Sequence, residues 1–159
     1  MLRFTIMRSV RGFALIELLI SVAILLVLSA MTYQVFQTTN NMKALDTESL
    51  KLLTQLRTAR SFTLASKNAS QWGVRVASTS VTLFEGSSYD AASPSNVVTT
   101  FNRLVVASTI SLAGGGSDII FERLTGEVDQ SGNITLSLVA SSSVKRIMTV
   151  HHTGIVEIQ

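Results

Sequence analysis

Arg11-Gly12-Phe13-Ala14-Leu15-Ile16-Glu17-Leu18-Leu19-Ile20 opens the stretch on which the fold turns. Phe13 to Thr32 supplies the roughly 20 mostly apolar residues that a bilayer core requires, and after Glu17 no formal charge occurs until Lys43. Arg3, Arg8 and Arg11 all precede the run, so the positive-inside rule puts the N-terminus in the cytoplasm and the bulk of the chain outside. A cleavable secretory signal shares this outline. It fits less well: Val27-Leu28-Ser29 is an indifferent signal-peptidase site that would end the run before its last apolar residues, and it leaves Glu17 without a role.

A carboxylate inside an apolar span costs about 2.5 to 3.5 kcal/mol on insertion scales and so calls for a partner. No Lys or Arg lies in the span, and Arg11 would leave with a leader cut after Gly12. That cut creates a new α-ammonium on Phe13, one helical turn from Glu17 in the same chain and able to pair with Glu17 of a neighbouring chain. The simpler alternative is a carboxylate stabilised near a helix N-terminus by the helix dipole.

The segment from Arg11 to Ile20 resembles the cleavage and methylation motif of type IV pilins and type II secretion pseudopilins. The resemblance implies that a prepilin peptidase cuts between Gly12 and Phe13, that the Phe13 amine is methylated, and that Glu17 guides docking of the subunit. Ala14 stands where many relatives carry threonine.

No proline or glycine occurs between Phe13 and Gln71, and helix formers dominate after Lys43, so one helix is expected to run on to Ser66. Leu45, Leu52, Leu56, Ala59 and Thr63, widened by Leu53 and Leu64, form a stripe suited to packing on a sheet. Arg57, Arg60 and Lys67 read as solvated or snorkelling charges. After Gly73, short strand-like runs follow at 74–76, 81–84, 97–101, 119–121, 134–138, 147–150 and 155–158. Breaks are expected near 86–96, 114–116, 131–133, 141–143 and 153–154.

The expected fold class is α+β: a long N-terminal helix, membrane-spanning in its first half and amphipathic in its second, packed on a C-terminal antiparallel β-sheet domain. The expected organisation is a leader over 1–12, the spanning half over 13–36, the amphipathic half over 37–68 and a β-rich head over 69–159. The second half is similar to the GspH/FimT group of minor pilins and pseudopilins at Leu56, Ala59, Arg60 and Ser61, at Phe121 and Gly126, and in the closing strands. Residues 87–116 have no counterpart in that resemblance.

The high pI, 9.7, points to nucleic acid or an anionic membrane until the charges are placed. Without the three leader arginines the chain carries ten basic and ten acidic side chains, which removes the bias. There is no cysteine, hence no disulfide or thiolate metal site. His151 and His152, adjacent and expected on a strand, would point to opposite faces and could not share a metal. Glu122, Glu127 and Asp129 match no calcium loop. Gly114-Gly115-Gly116 lacks the lysine and helix of a phosphate loop, and no nucleophile constellation is visible.

The reading is therefore of a non-enzymatic subunit without cofactor or metal, anchored by a single pass in the bacterial inner membrane, its head outside the cytoplasm. The resemblance implies assembly through the N-terminal helix into a type II secretion pseudopilus. Its partners would be other pilins or pseudopilins, the prepilin peptidase, the inner-membrane assembly platform and the bilayer. The alternative is a FimT-like minor pilin that binds DNA in natural transformation, with Lys145 and Arg146, joined by His151 and His152, as contacts; no G-R-x-R motif supports it. Intact-mass analysis is expected to show mature protein starting at a methylated Phe13. A start at Ala30 or Met31 would instead indicate ordinary signal peptidase.

Overall fold

The computed structural model describes residues 15–159, apart from the side chains at 31, 32, 34 and 35. They form α1 (Leu15–Leu64), a 3-10 turn (Lys67–Ala69) and eight strands: β1 (Trp72–Val76), β2 (Ser80–Glu85), β3 (Val97–Thr100), β4 (Val105–Leu112), β5 (Asp118–Phe121), β6 (Gly132–Leu138), β7 (Ser141–Val150) and β8 (Val156–Ile158). The chain divides into two compact units, Met1–Thr39 and Asn40–Gln159, with the division inside α1.

In the C-terminal unit, Leu45, Leu52, Leu56, Ala59 and Thr63 are fully buried, as their spacing predicts. Leu64 is an exception at 41% exposed, and Glu48 and Ser49 are buried although polar. Ser49 is satisfied by donating to the Leu45 carbonyl at 2.8 Å. Glu48 Oε1 accepts from Lys51 Nζ at 2.8 Å, while its other oxygen has no partner among the described residues. The helix stops at Leu64 rather than Ser66 because the chain turns left-handed at Ser66 (φ 47°) and again at Asn68 and Ala69. Thr63 ties this reversal to the first strand: its hydroxyl accepts from the Trp72 amide at 3.0 Å and donates to the Trp72 carbonyl at 3.4 Å.

Two four-stranded antiparallel sheets follow, in the orders β3-β2-β1-β5 and β4-β6-β7-β8. Alternation sends Trp72, Val74 and Val76 of β1 and Ile119 and Phe121 of β5 into the same core as Ile134, Leu136, Met148 and Val150 of the second sheet. The leucines of α1 belong to that core too, so the helix, the first sheet and the second sheet share one apolar interior. Complete burial of each such side chain is worth about 1.5 to 3 kcal/mol.

Two features depart from the strand runs read in the sequence. Strand β4 was not among them, because a register shift between Ala107 and Thr109 breaks the period-2 alternation that marks a strand. Strand β7 begins at Ser141, where the serines suggested a break; the reversal falls at Val139 and Ala140, which are both exposed. Residues 87–116 thus contain two strands and a covering loop. Tyr89 of that loop lies edge-on to Phe84 at 5.5 Å between ring centres and is faced by the Arg75 guanidinium at 4.4 Å. Phe84 in turn occupies the space above Gly73, where any Cβ would come within 2.5 Å of its ring. A second, smaller apolar cluster forms in this way on the outer face of the first sheet.

The last turns of α1 are fastened to two loops at once. Arg60 Nε donates to the Gly126 carbonyl at 3.3 Å and Nη2 to the Thr153 carbonyl at 3.2 Å. Val128 donates to the His152 carbonyl at 2.8 Å, drawing the same loops together. Gly154 sits at this junction with φ 72°, and a Cβ there would lie 1.9 Å from the Gly126 oxygen. Gly154→Ala is expected to destabilise the protein by on the order of 2 to 4 kcal/mol, combining left-handed strain with a backbone clash. Urea unfolding of parent and variant measures this; a loss under about 0.5 kcal/mol, the level of an ordinary surface change, would contradict it.

Candidate assembly interface

Between Leu15 and Leu28, the large aliphatic side chains of α1 run from 46% exposed at Val22 to 84% at Leu15. They include Ile24, Leu25, Leu26, Val27 and Leu28, five successive positions about 100° apart, so the apolar surface covers the whole circumference. A helix that is apolar all round is suited to an apolar surrounding, and an exposed patch of this kind marks an interaction surface. Its serines present little polarity: Ser21 donates to the Glu17 carbonyl and Ser29 to the Leu25 carbonyl, each at 2.7 Å. Glu17 is then the one charged side chain from Leu15 to Ala30; it is exposed and lies in the first helical turn.

Among the described residues no helix is long and apolar enough to cross a membrane. The run offered by the sequence, Phe13 to Thr32, includes residues 13 and 14 and the side chains at 31 and 32, which lie outside those residues. Gly12 and Phe13 also lie outside them, so the cleavage and methylation positions have no geometry here. Sequence reasoning missed Tyr33 and Phe36, both 65% exposed just beyond the apolar run, with Gln37 donating to the Tyr33 hydroxyl at 2.9 Å. Aromatics at the polar end of such a run were the available signal.

The DNA-contact candidates are not brought together. Lys145 and Arg146 are consecutive on β7 and therefore project to opposite faces of its sheet. Arg146 turns toward α1, with Nε and Nη2 both 2.9 Å from Asp46 Oδ1, whereas Lys145 is exposed. His151 and His152 lie past the end of β7 in the turn before β8, not on a strand, and His151 Nε2 is 3.6 Å from Glu157 Oε2. Among the described residues, no group of three or more His, Asp or Glu side chains is placed to hold a metal ion.

The C-terminal unit also has an open groove of about 520 Å³ beside the end of α1. Arg57, Arg60, Ser61 and Leu64 line one side, and Gly154, Ile155 and Val156 the other. Arg57 and Arg60, read from the sequence as solvated charges, thus share one concave surface.

Residues 7–33 match the prokaryotic N-terminal methylation motif. No curated protein matches the chain in sequence. Among solved structures, the chain is similar to the type IV minor pilin FimU of Pseudomonas aeruginosa, with a TM-score of 0.55 at 11% identity, over 72% of this chain and 92% of that one. That likeness is one of fold: an N-terminal helix packed on an antiparallel C-terminal domain. In its N-terminal motif and in its fold, the chain resembles type IV pilin-like proteins.

Residues 43–159 hold ten basic and nine acidic side chains, and the two basic residues of β7 diverge. A fragment of these residues is expected to bind duplex DNA no more tightly than the nonspecific range of about 10⁻⁴ to 10⁻⁶ M near physiological salt. Even if both made phosphate contacts, the salt slope would be about −1.8. Fluorescence anisotropy over a salt series measures both; submicromolar binding with a steep slope, lost on Lys145→Ala with Arg146→Ala, is the contrary result.

Proposed function

We propose that the chain is a minor subunit of a type IV-like filament, cleaved between Gly12 and Phe13 by a prepilin peptidase, methylated on Phe13, and assembled through residues 13–36. The observation that carries this reading is the first half of α1, apolar around its circumference and interrupted by one carboxylate at its start. An apolar helix of this kind is satisfied first by lipid and then by the helices of neighbouring subunits, a transfer that needs little change of surroundings.

Glu17 gives that transfer its register. In the bilayer its carboxylate is costly, and the Phe13 ammonium of an adjacent subunit offers a charge partner that lipid does not. On this reading residues 1–12 are the leader, 13–36 cross the inner membrane once with the N-terminus cytoplasmic, and 37–68 continue the helix into the head of 69–159. Tyr33 and Phe36 fit the membrane–water boundary on the outer side. The role is that of a structural subunit rather than an enzyme.

The filament we assign is the type II secretion pseudopilus, on the resemblance of the Leu56–Ser61, Phe121–Gly126 and closing-strand residues to GspH/FimT-type subunits. A role in DNA uptake gains no support from the diverging Lys145 and Arg146 or from the Asp46 pairing of Arg146. Glu17→Val is expected to leave membrane insertion intact or improved while crosslinking to other pilin or pseudopilin subunits falls. Unchanged crosslinking would count heavily against an assembly role for the carboxylate.

A further inference from the structure

We propose that the groove formed by Arg57, Arg60, Ser61, Leu64, Gly154 and Ile155 is a docking site for an acidic, leucine-bearing peptide segment of another protein. The proposal stands whether or not the chain enters a filament.

Charge is the first argument. Arg57 and Arg60 are three residues apart and therefore share a helix face, and both line the groove. Neither forms an ion pair among the described residues, and no carboxylate lines the groove. Arg60 is the more telling of the two. It is half-buried, and its partners are the neutral carbonyls of Gly126 and Thr153. Those bonds fix the plane of the guanidinium and use two of its five N–H donors, leaving a positioned cation with donors to spare. A partly desolvated cation held only by carbonyls attracts an anion more strongly than a fully solvated one does.

The walls decide which anion. Leu64 is 41% exposed and Ile155 50%, and both line the groove with the two arginines. A phosphate backbone would leave that apolar surface uncovered, whereas a carboxylate side chain next to a leucine covers the cations and the wall together. Ser61, exposed on the same helical turn as Arg60, offers a hydroxyl for the main chain of such a segment. With ten basic against nine acidic side chains in residues 43–159, the unit also lacks the broad positive field that nucleic acid would need. The volume, about 520 Å³, is in the range that encloses a few side chains.

The test uses the full-length protein in detergent micelles and fluorescence anisotropy with three labelled probes: a peptide alternating glutamate and leucine, its glutamine and leucine counterpart, and a short DNA duplex. The acidic peptide is expected to bind at least about tenfold more tightly than the neutral one, as expected for charge-assisted hydrogen bonds to two guanidiniums. Arg57→Ala should weaken it about five- to tenfold and Arg57→Glu abolish it. Thermal unfolding of both variants should match the parent, because Arg57 is exposed and holds no structural partner among the described residues. Arg60→Lys, which keeps the charge but loses the planar fork, should weaken the peptide as well. Equal binding of the two peptides, which association with the micelle or the apolar helix would give, overturns the proposal. So does acidic-peptide binding that Arg57→Glu leaves unchanged, or DNA that displaces the peptide more readily than unlabelled peptide does.

Discussion

One row of α1 side chains, Leu45, Leu52, Leu56 and Ala59, is wholly removed from water, and the C-terminal unit is built around it. Neither sheet could be stable alone, since each has one face that must be covered. The helix supplies cover to both, so residues from β1, β5, β6 and β7 meet in a single core. Truncating a leucine in that row would typically cost 2 to 5 kcal/mol, a large share of the 5 to 15 kcal/mol by which domains are usually stable. The helix is therefore the element on which the two sheets depend, and it is the same helix whose first half carries the proposed assembly surface.

The two parts of α1 are matched to different surroundings. In residues 40–64 the buried apolar side chains occupy one stripe, and polar residues on that stripe, such as Ser49 and Thr63, are satisfied by hydrogen bonds. From Leu15 to Ala30 there is no stripe, only an apolar circumference and Glu17. Water suits the outer face of the first part; lipid or other helices suit every face of the second. This contrast falls within one helix uninterrupted by proline or glycine.

The closing turns serve both stability and recognition. Arg60 joins the end of the helix to the loops at Gly126 and Thr153, and Gly154 allows those loops to approach as closely as they do. Because the carbonyls leave its charge uncompensated, the same side chain that fastens the fold also defines a cationic groove with Arg57. A carboxylate in place of either carbonyl would have held the fold equally well and closed the site.

The sequence by itself determined the α+β class, the buried stripe of the helix and the N-terminal methylation motif, because each rests on a short-range pattern: helical spacing, uninterrupted helix formers, or a string of residues around Gly12 and Phe13. It was sufficient for Glu17 too, since one acid in an apolar run is visible without coordinates. Strand β4 was hidden because its bulge breaks alternation, and the start of β7 because serine is as common in turns as at strand edges. Only the tertiary structure decided that the strands form two sheets, that Asp46 claims Arg146, and that Arg57 and Arg60 share a groove with Gly154 and Ile155. Each of these depends on residues far apart in the chain. Strand pairing and side-chain partners are set by which surfaces the common core brings together, and no local pattern records that choice.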